Sequence, residues 1–145
     1  MYISNGAQLQ VLVSLDIGRS EGEAASVFVQ GANTRLLANY ISVGCGDGMG
    51  VLNIGEGAEV KVSRGLNLGR ASIEDNCNII VYGAGSRAFA PKFKNCEEGV
   101  GGQILAIEGG TYSEVAYEAF AAEMNAAMNF DRNLTENLDK LLLAE

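Results

Sequence analysis

Residues 3–19 read Ile3-Ser4-Asn5-Gly6-Ala7-Gln8-Leu9-Gln10-Val11-Leu12-Val13-Ser14-Leu15-Asp16-Ile17-Gly18-Arg19. Residues 54–70 read Ile54-Gly55-Glu56-Gly57-Ala58-Glu59-Val60-Lys61-Val62-Ser63-Arg64-Gly65-Leu66-Asn67-Leu68-Gly69-Arg70. The isoleucine, the Gly-Ala pair, the alternating apolar positions and the closing Gly-Arg coincide at an offset of 51. Val27-Phe28-Val29-Gln30-Gly31-Ala32 falls in the same way on Ile79-Ile80-Val81-Tyr82-Gly83-Ala84, at an offset of 52. A chain that copies itself at a fixed period is built from stacked units rather than one irregular core.

Each such pair divides into two units: an apolar-x-apolar run, a Gly corner, two further alternating runs, and a Gly- and acid-rich loop. Period-two alternation gives strands with one buried face, and glycine supplies corners that need positive φ. The expected inward columns are Ile3, Val29, Ile54, Val81 and Ile107; then Leu9, Thr34, Val60 and Ser86; then Val11, Leu36, Val62 and Ala88. The far run supplies Leu15, Ile41, Leu66 and Phe93, followed by Ile17, Val43, Leu68 and Asn95. The return run supplies Val27, Leu52, Ile79 and Leu105. The fold class is therefore mostly β: a short parallel β-helix, or β-solenoid, of about five coils of 25–27 residues.

The expected solenoid domain spans residues 1–110, and residues 111–145 form a second, helical segment. Thr111-Tyr112-Ser113-Glu114 fits a capping box with Thr111 as N-cap. Tyr112, Ala116, Phe120, Met124 and Met128 then follow at helical spacing, and Phe130, Leu134, Leu138 and Leu141 continue with a shifted phase. Such a helix would plug the coil end, where exposed strand edges invite aggregation, or join copies into a homo-oligomer.

Composition narrows the function classes. The net charge of −8 argues against binding to nucleic-acid backbones, and no apolar run is long enough to insert in a membrane. The absence of histidine removes Ser-His-Asp and Cys-His catalysis and most catalytic zinc sites; paired carboxylates, as in sugar-cleaving solenoids, remain possible, but the acids gather in the loops, so no cofactor, metal or enzymatic activity is expected. Cys45, Cys77 and Cys96 are an odd set. Two coils at strand spacing would hold Cys45 and Cys96 about 10 Å apart, too far for a bridge, so reduced thiols are expected. The opening Met1-Tyr2-Ile3-Ser4-Asn5-Gly6 lacks signal-peptide regions. The expected location is a virion or a cytoplasm-folded assembly. The alternative is a bacterial surface, as part of a longer exported chain.

Two charged features are candidate interaction surfaces. Glu21, Glu23, Asp47, Glu74, Asp75, Glu97 and Glu98 gather in the loops and would stack into an acidic ridge. The loop Gly44-Cys45-Gly46-Asp47-Gly48-Met49-Gly50 resembles Gly-Asp calcium turns but lacks their tandem repetition, so no calcium is expected. Arg35, Lys61 and Arg87, spaced 26 and 26, would form a ladder of like charges on the outer face, with Gln10 in the same place on the first coil. Neighbouring acids would offset their repulsion, and the strip could meet an acidic partner. Asn133-Leu134-Thr135 spells a glycosylation triplet, to which no role is given.

Val51-Leu52-Asn53-Ile54-Gly55-Glu56-Gly57-Ala58-Glu59-Val60, followed by Gly65-Leu66-Asn67-Leu68-Gly69, resembles the β-solenoid repeats of bacterial autotransporter passengers and adhesins, over roughly residues 3–110. Similar coils occur in phage tail fibres and tailspikes. The resemblance implies a non-enzymatic structural or interaction module of a larger assembly, either a virion component or a surface fibre. The alternatives are a carbohydrate-binding or carbohydrate-cleaving β-helix, for which Tyr40 and Tyr82 are outward aromatics, and an acidic nucleic-acid mimic.

Overall fold

The structure, a computed structural model, describes residues 1–20, 22, 24–46, 48–70, 77–96 and 102–115. Eleven strands carry the alternating segments: β1 (Tyr2–Ile3), β2 (Gln8–Ile17), β3 (Ala24–Gln30), β4 (Arg35–Val43), β5 (Met49–Gly55), β6 (Glu59–Leu68), β7 (Cys77–Tyr82), β8 (Arg87–Ala90), β9 (Lys94–Asn95), β10 (Gln103–Ile107) and β11 (Thr111–Glu114). The strands sort into two sheets as the chain winds. One, sheet A, runs β1-β3-β5-β7-β10. The other, sheet B, runs β11-β8-β6-β4-β2, with β9 on β6. Every pairing is parallel. This is a parallel β-solenoid of about four turns.

Side chains facing inward from both sheets fill one core. Ile3 lies over Val29, Val29 over Ile54, and Ile54 over Val81, the last three with no exposed surface. Val27, Leu52 and Ile79 stack beside them. Across the core, Leu15, Ile41 and Leu66 form one column, and Ile17, Val43, Leu68 and Asn95 another. These columns match the sequence expectation. Coil lengths are 25–27 residues, as the separations Ile3–Val29, Val29–Ile54 and Ile54–Val81 show.

The two-coil period has a physical cause in the corners between the sheets. Odd corners are type I′, with positive φ at both central residues: Asn5 and Gly6, Glu56 and Gly57, Glu108 and Gly109. Even corners are Gly31-Ala32-Asn33-Thr34 and Gly83-Ala84-Gly85-Ser86, with positive φ at the first and third positions. The hydroxyls of the even corners hold the odd ones. Gly6 N–H donates to Thr34 Oγ1 and Gly57 N–H to Ser86 Oγ, each at 3.0 Å. A corner of one kind is thus satisfied by a neighbour of the other kind. The second bend alternates as well. Coil two has one residue fewer there than its neighbours, and Asn39 bridges the mismatch. Its Nδ2 donates to Leu12 O, and its Oδ1 accepts from Ser63 Oγ, both at 2.6 Å.

Four expectations are corrected. Thr34 and Ser86 are fully buried corner residues, not partners of Leu9 and Val60. The true columns are Leu9, Leu36, Val60, Ala88 and Val11, Ala38, Val62. A shift of two keeps every side chain on its own face, so alternation alone does not reveal it. On the last rung, a bulge that leaves Asn78 without a partner moves the register by one. Ile104 and Ala106 take the inward places, and Leu105 and Ile107 turn outward, 37% and 39% exposed. Thr111–Glu114 does not cap a helix: it is β11, paired with β8 through Thr111–Arg87 and Glu114–Ala90. The C-terminal helical cap is not supported. Phe120, Met124, Met128, Phe130, Leu134, Leu138 and Leu141 lie outside the described residues, among which there is no helix.

Candidate functional site

The outer face of sheet B carries a charge cluster built by the register of three strands. Arg35 on β4, Glu59 on β6 and Arg87 on β8 are direct partners, so the ladder reads plus, minus, plus. The expected column of Arg35, Lys61 and Arg87 is corrected accordingly: Lys61 lies two residues along β6, between Leu37 and Phe89. Residues two apart on a strand share a face, so Lys61 still reaches the same carboxylate. Glu59 Oε1 lies 3.2 Å from Arg35 Nε and 3.4 Å from Lys61 Nζ, and its Oε2 lies 2.9 Å from Arg87 Nη2. One carboxylate, whose side chain is 11% exposed, thus sits among three cations. A shallow depression of about 350 Å³ opens beside the cluster, with Asn33, Thr34 and Gly57 on its rim.

The acidic ridge residues Glu21, Glu23, Asp47, Glu74, Asp75, Glu97 and Glu98 lie outside the described residues. The corner from which their loops spring is described. Gly44 N–H donates to Ile17 O, Gly69 N–H to Val43 O, and Arg70 N–H to Gly44 O, stacking three turns of backbone. A Cβ on Gly44 would strike the Arg70 carbonyl, and one on Gly69 the Gly44 carbonyl, so only glycine lets these backbones meet. Asn78, fully buried, closes the corner with its Nδ2 at 3.1–3.4 Å from the carbonyls of Arg70, Gly50 and Val43.

Cys45 and Cys96 form a disulfide at this corner, with Cα atoms 5.6 Å apart across a separation of 51 residues. The expectation of reduced thiols about 10 Å apart is overturned. That estimate kept each cysteine on its own rung, whereas Cys45 follows the Gly44 bend that leaves β4 while Cys96 follows β9 directly, and Gly69, where a Cβ would strike Gly44 O and crowd Cys45 N, has no side chain to part them. Cys77 is buried at the start of β7. The bridge borders a depression of about 470 Å³ with Ser14, Asp16, Arg19 and Ser42 on its walls. Asp16 accepts from Ser14 Oγ and from Arg19 Nη1, each at 3.2 Å.

Sheet A presents a different outer surface. Tyr2, Phe28, Asn53, Ile80 and Leu105 are successive partners on the outward row of all five strands. The Tyr2 and Phe28 rings stack with centroids 4.7 Å apart. In the adjoining row, Tyr82 lies over Gly55, its hydroxyl accepting from Gln30 Nε2 at 2.7 Å, and Ile107 follows. Tyr40, the other outward aromatic, covers Gly65 on sheet B. Neither apolar row was singled out from the sequence. The signal was there, since Tyr2, Phe28 and Ile80 alternate with the inward residues of their own strands.

Near Tyr112 the chemistry is plain. Its ring packs on the core, its hydroxyl is buried with no hydrogen-bond partner among the described residues, and burial followed by the Glu114 charge raises its pKa above the ordinary 10. Among the described residues, no group of three or more Asp, Glu or Cys side chains is placed to hold a metal ion. No protein-family model matches this chain, nor does any curated protein or solved structure.

Proposed function

We propose that this chain is a non-enzymatic structural and interaction protein, a β-solenoid module of a larger assembly such as a phage virion or a bacterial surface fibre. The observation that carries the reading is the outer face of sheet A. A solvated strand face is ordinarily polar on alternate residues. Here the outward row is Tyr2, Phe28, Asn53, Ile80 and Leu105, with Tyr82 and Ile107 beside it, and Tyr2 is 70% exposed. Exposed apolar residues gathered on one face, on either side of Asn53, mark a contact with another protein. The occupant assigned to it is a second copy of the chain, because a flat apolar row can pair with its own symmetry mate. The Cys45–Cys96 bridge favours a virion or cell-surface location, where disulfides persist.

The test is the mass in solution, by light scattering and sedimentation, of the wild type and of a Tyr2→Ser, Leu105→Ser variant. Both positions are exposed, so the variant should keep the wild-type melting temperature. An oligomer that the variant reduces to 15.2 kDa monomers supports the reading. A wild type that stays monomeric at high micromolar concentration overturns it.

A further inference from the structure

Cys96 sits where the coils below it carry glycine. Its N–H donates to Leu68 O at 2.9 Å, as Gly69 N–H does to Val43 O and Gly44 N–H to Ile17 O. It follows β9, a strand of two residues whose only strand neighbour among the described residues is β6. A segment with so few contacts of its own opens at low free energy. β9 nevertheless anchors the last rung. Asn95 Oδ1 accepts from Gly102 N–H at 3.2 Å. Gly102 is buried, and a Cβ on it would strike the Asn78 side chain and Leu68. The next residue, Gln103, is the register partner of Cys77, which is only 4% exposed. A connected path thus runs from the Cys45–Cys96 bridge through β9 and Gly102 to a buried thiol. The bridge itself lies within reach of solvent, since both cysteines are partly exposed and border the depression of about 470 Å³.

We propose that Cys45–Cys96 is a redox latch on the last rung. Oxidised, it holds β9, and through Asn95 and Gly102 it keeps Cys77 covered. Reduced, it releases β9 and Gly102, and Cys77 changes from an inert buried thiol to a reactive one. The reductant is a dithiol, or the thiol pool of a reducing compartment. A reductant thiolate attacks one sulfur of the bridge and the Cys45–Cys96 bond breaks. A second thiolate then closes the reductant's own disulfide, and both cysteines leave as thiols, having taken up two electrons and two protons. The release is local. The columns Val29, Ile54, Val81 and Leu15, Ile41, Leu66 contain no residue of β9, so the stacked coils below keep their core. This inference does not depend on the assembly reading, which concerns the outer face of sheet A.

The experiment follows alkylation of Cys77 by a maleimide in the full chain, mapped by peptide mass spectrometry. It compares the oxidised wild type with the wild type in dithiothreitol and with a Cys45→Ser, Cys96→Ser variant. Cys77 is the one thiol open to label in the first and the last, since the chain has three cysteines. Labelling of Cys77 should be at least tenfold faster in the reduced protein and in the variant. A rate within twofold of the oxidised wild type would overturn the proposal. Urea separates local release from global unfolding, because only the latter exposes a large surface. The reduced rate should be flat in urea below the unfolding transition, and a steep rise there would overturn the latch. Asn95→Ala tests the path with the bridge intact: it removes the acceptor for Gly102 N–H and should speed labelling several-fold. Labelling of this variant at the wild-type rate would show that β9 does not hold the cover over Cys77, and would overturn the proposal as well.

Discussion

Replacing Glu59 with glutamine keeps the shape of the side chain and removes a carboxylate that Arg35, Lys61 and Arg87 share. The Arg87 contact is short at 2.9 Å, but that guanidinium is 54% exposed, so water and salt screen it. Exposed pairs of this kind contribute about 0.2–1 kcal/mol. The other two cations are less accessible, Arg35 at 29% and Lys61 at 18%, and the carboxylate itself at 11%. Breaking a fully buried pair costs about 3–5 kcal/mol, so two half-buried contacts belong between the limits. The expected total is about 2–4 kcal/mol. For a domain of this size each kcal/mol lowers the melting temperature by about 2–4 °C, and Glu59→Gln should lose about 5–15 °C. Asp16→Asn is the control. It removes the partner of Arg19, whose side chain is 75% exposed, and should change stability by less than about 0.5 kcal/mol. Thermal denaturation followed by circular dichroism reads both. If Glu59→Gln melts with the wild type and with Asp16→Asn, Glu59 does not stand between the two arginines and the register of sheet B is wrong.

Thr34→Val and Ser86→Ala each remove the acceptor for a corner N–H and should cost about 1–2 kcal/mol apiece, equal within error, because the two corners are copies. A cost at one position alone would break the two-coil equivalence. Reduction of Cys45–Cys96 opens a loop of 51 residues and should cost about 4 kcal/mol on the chain-entropy scale; a non-reducing peptide map lacking the linked pair would contradict the corner geometry. Tyr112 titrates with a raised pKa, so the fold holds its phenolic proton more tightly than the unfolded chain does. The associated stability is present below pH 10 and is lost as pH rises through the folded pKa. Tyr112→Phe should remove that alkaline loss without destabilising the protein near neutrality, since the hydroxyl has no partner among the described residues to lose. A marked loss at pH 7 would show a hydrogen bond that this account omits.

Most of the core could be read from the sequence because alternation and offset state it twice. Val29, Ile54 and Val81 recur in step, and so do Leu15, Ile41 and Leu66. The candidate site was harder. Arg35, Lys61 and Arg87 are evenly spaced, but coils shorten at Asn39 and change corners at Thr34 and Ser86, so even spacing does not mean shared register. Reading the 51-residue period as two different corners would have moved Glu59 between the arginines. Cys45 and Cys96 carried the same hint, since their separation equals the two-coil period. Thr111–Glu114 misled because a Thr-x-x-Glu pattern serves as well for a strand with an outward Thr. On the last rung, one bulged residue, Asn78, reversed the faces of Leu105 and Ile107, which no alternation in β10 itself could signal.

The account stands on a parallel register in which even and odd coils differ. Interstrand proton contacts in the nuclear magnetic resonance spectrum of the 145-residue chain test it most directly. Parallel neighbours should join Val29 to Ile54 and Ile54 to Val81 in sheet A, and Glu59 to both Arg35 and Arg87 in sheet B. Contacts that join Lys61 to Arg35 and Arg87 instead, or an antiparallel pattern between any of these strands, would contradict it.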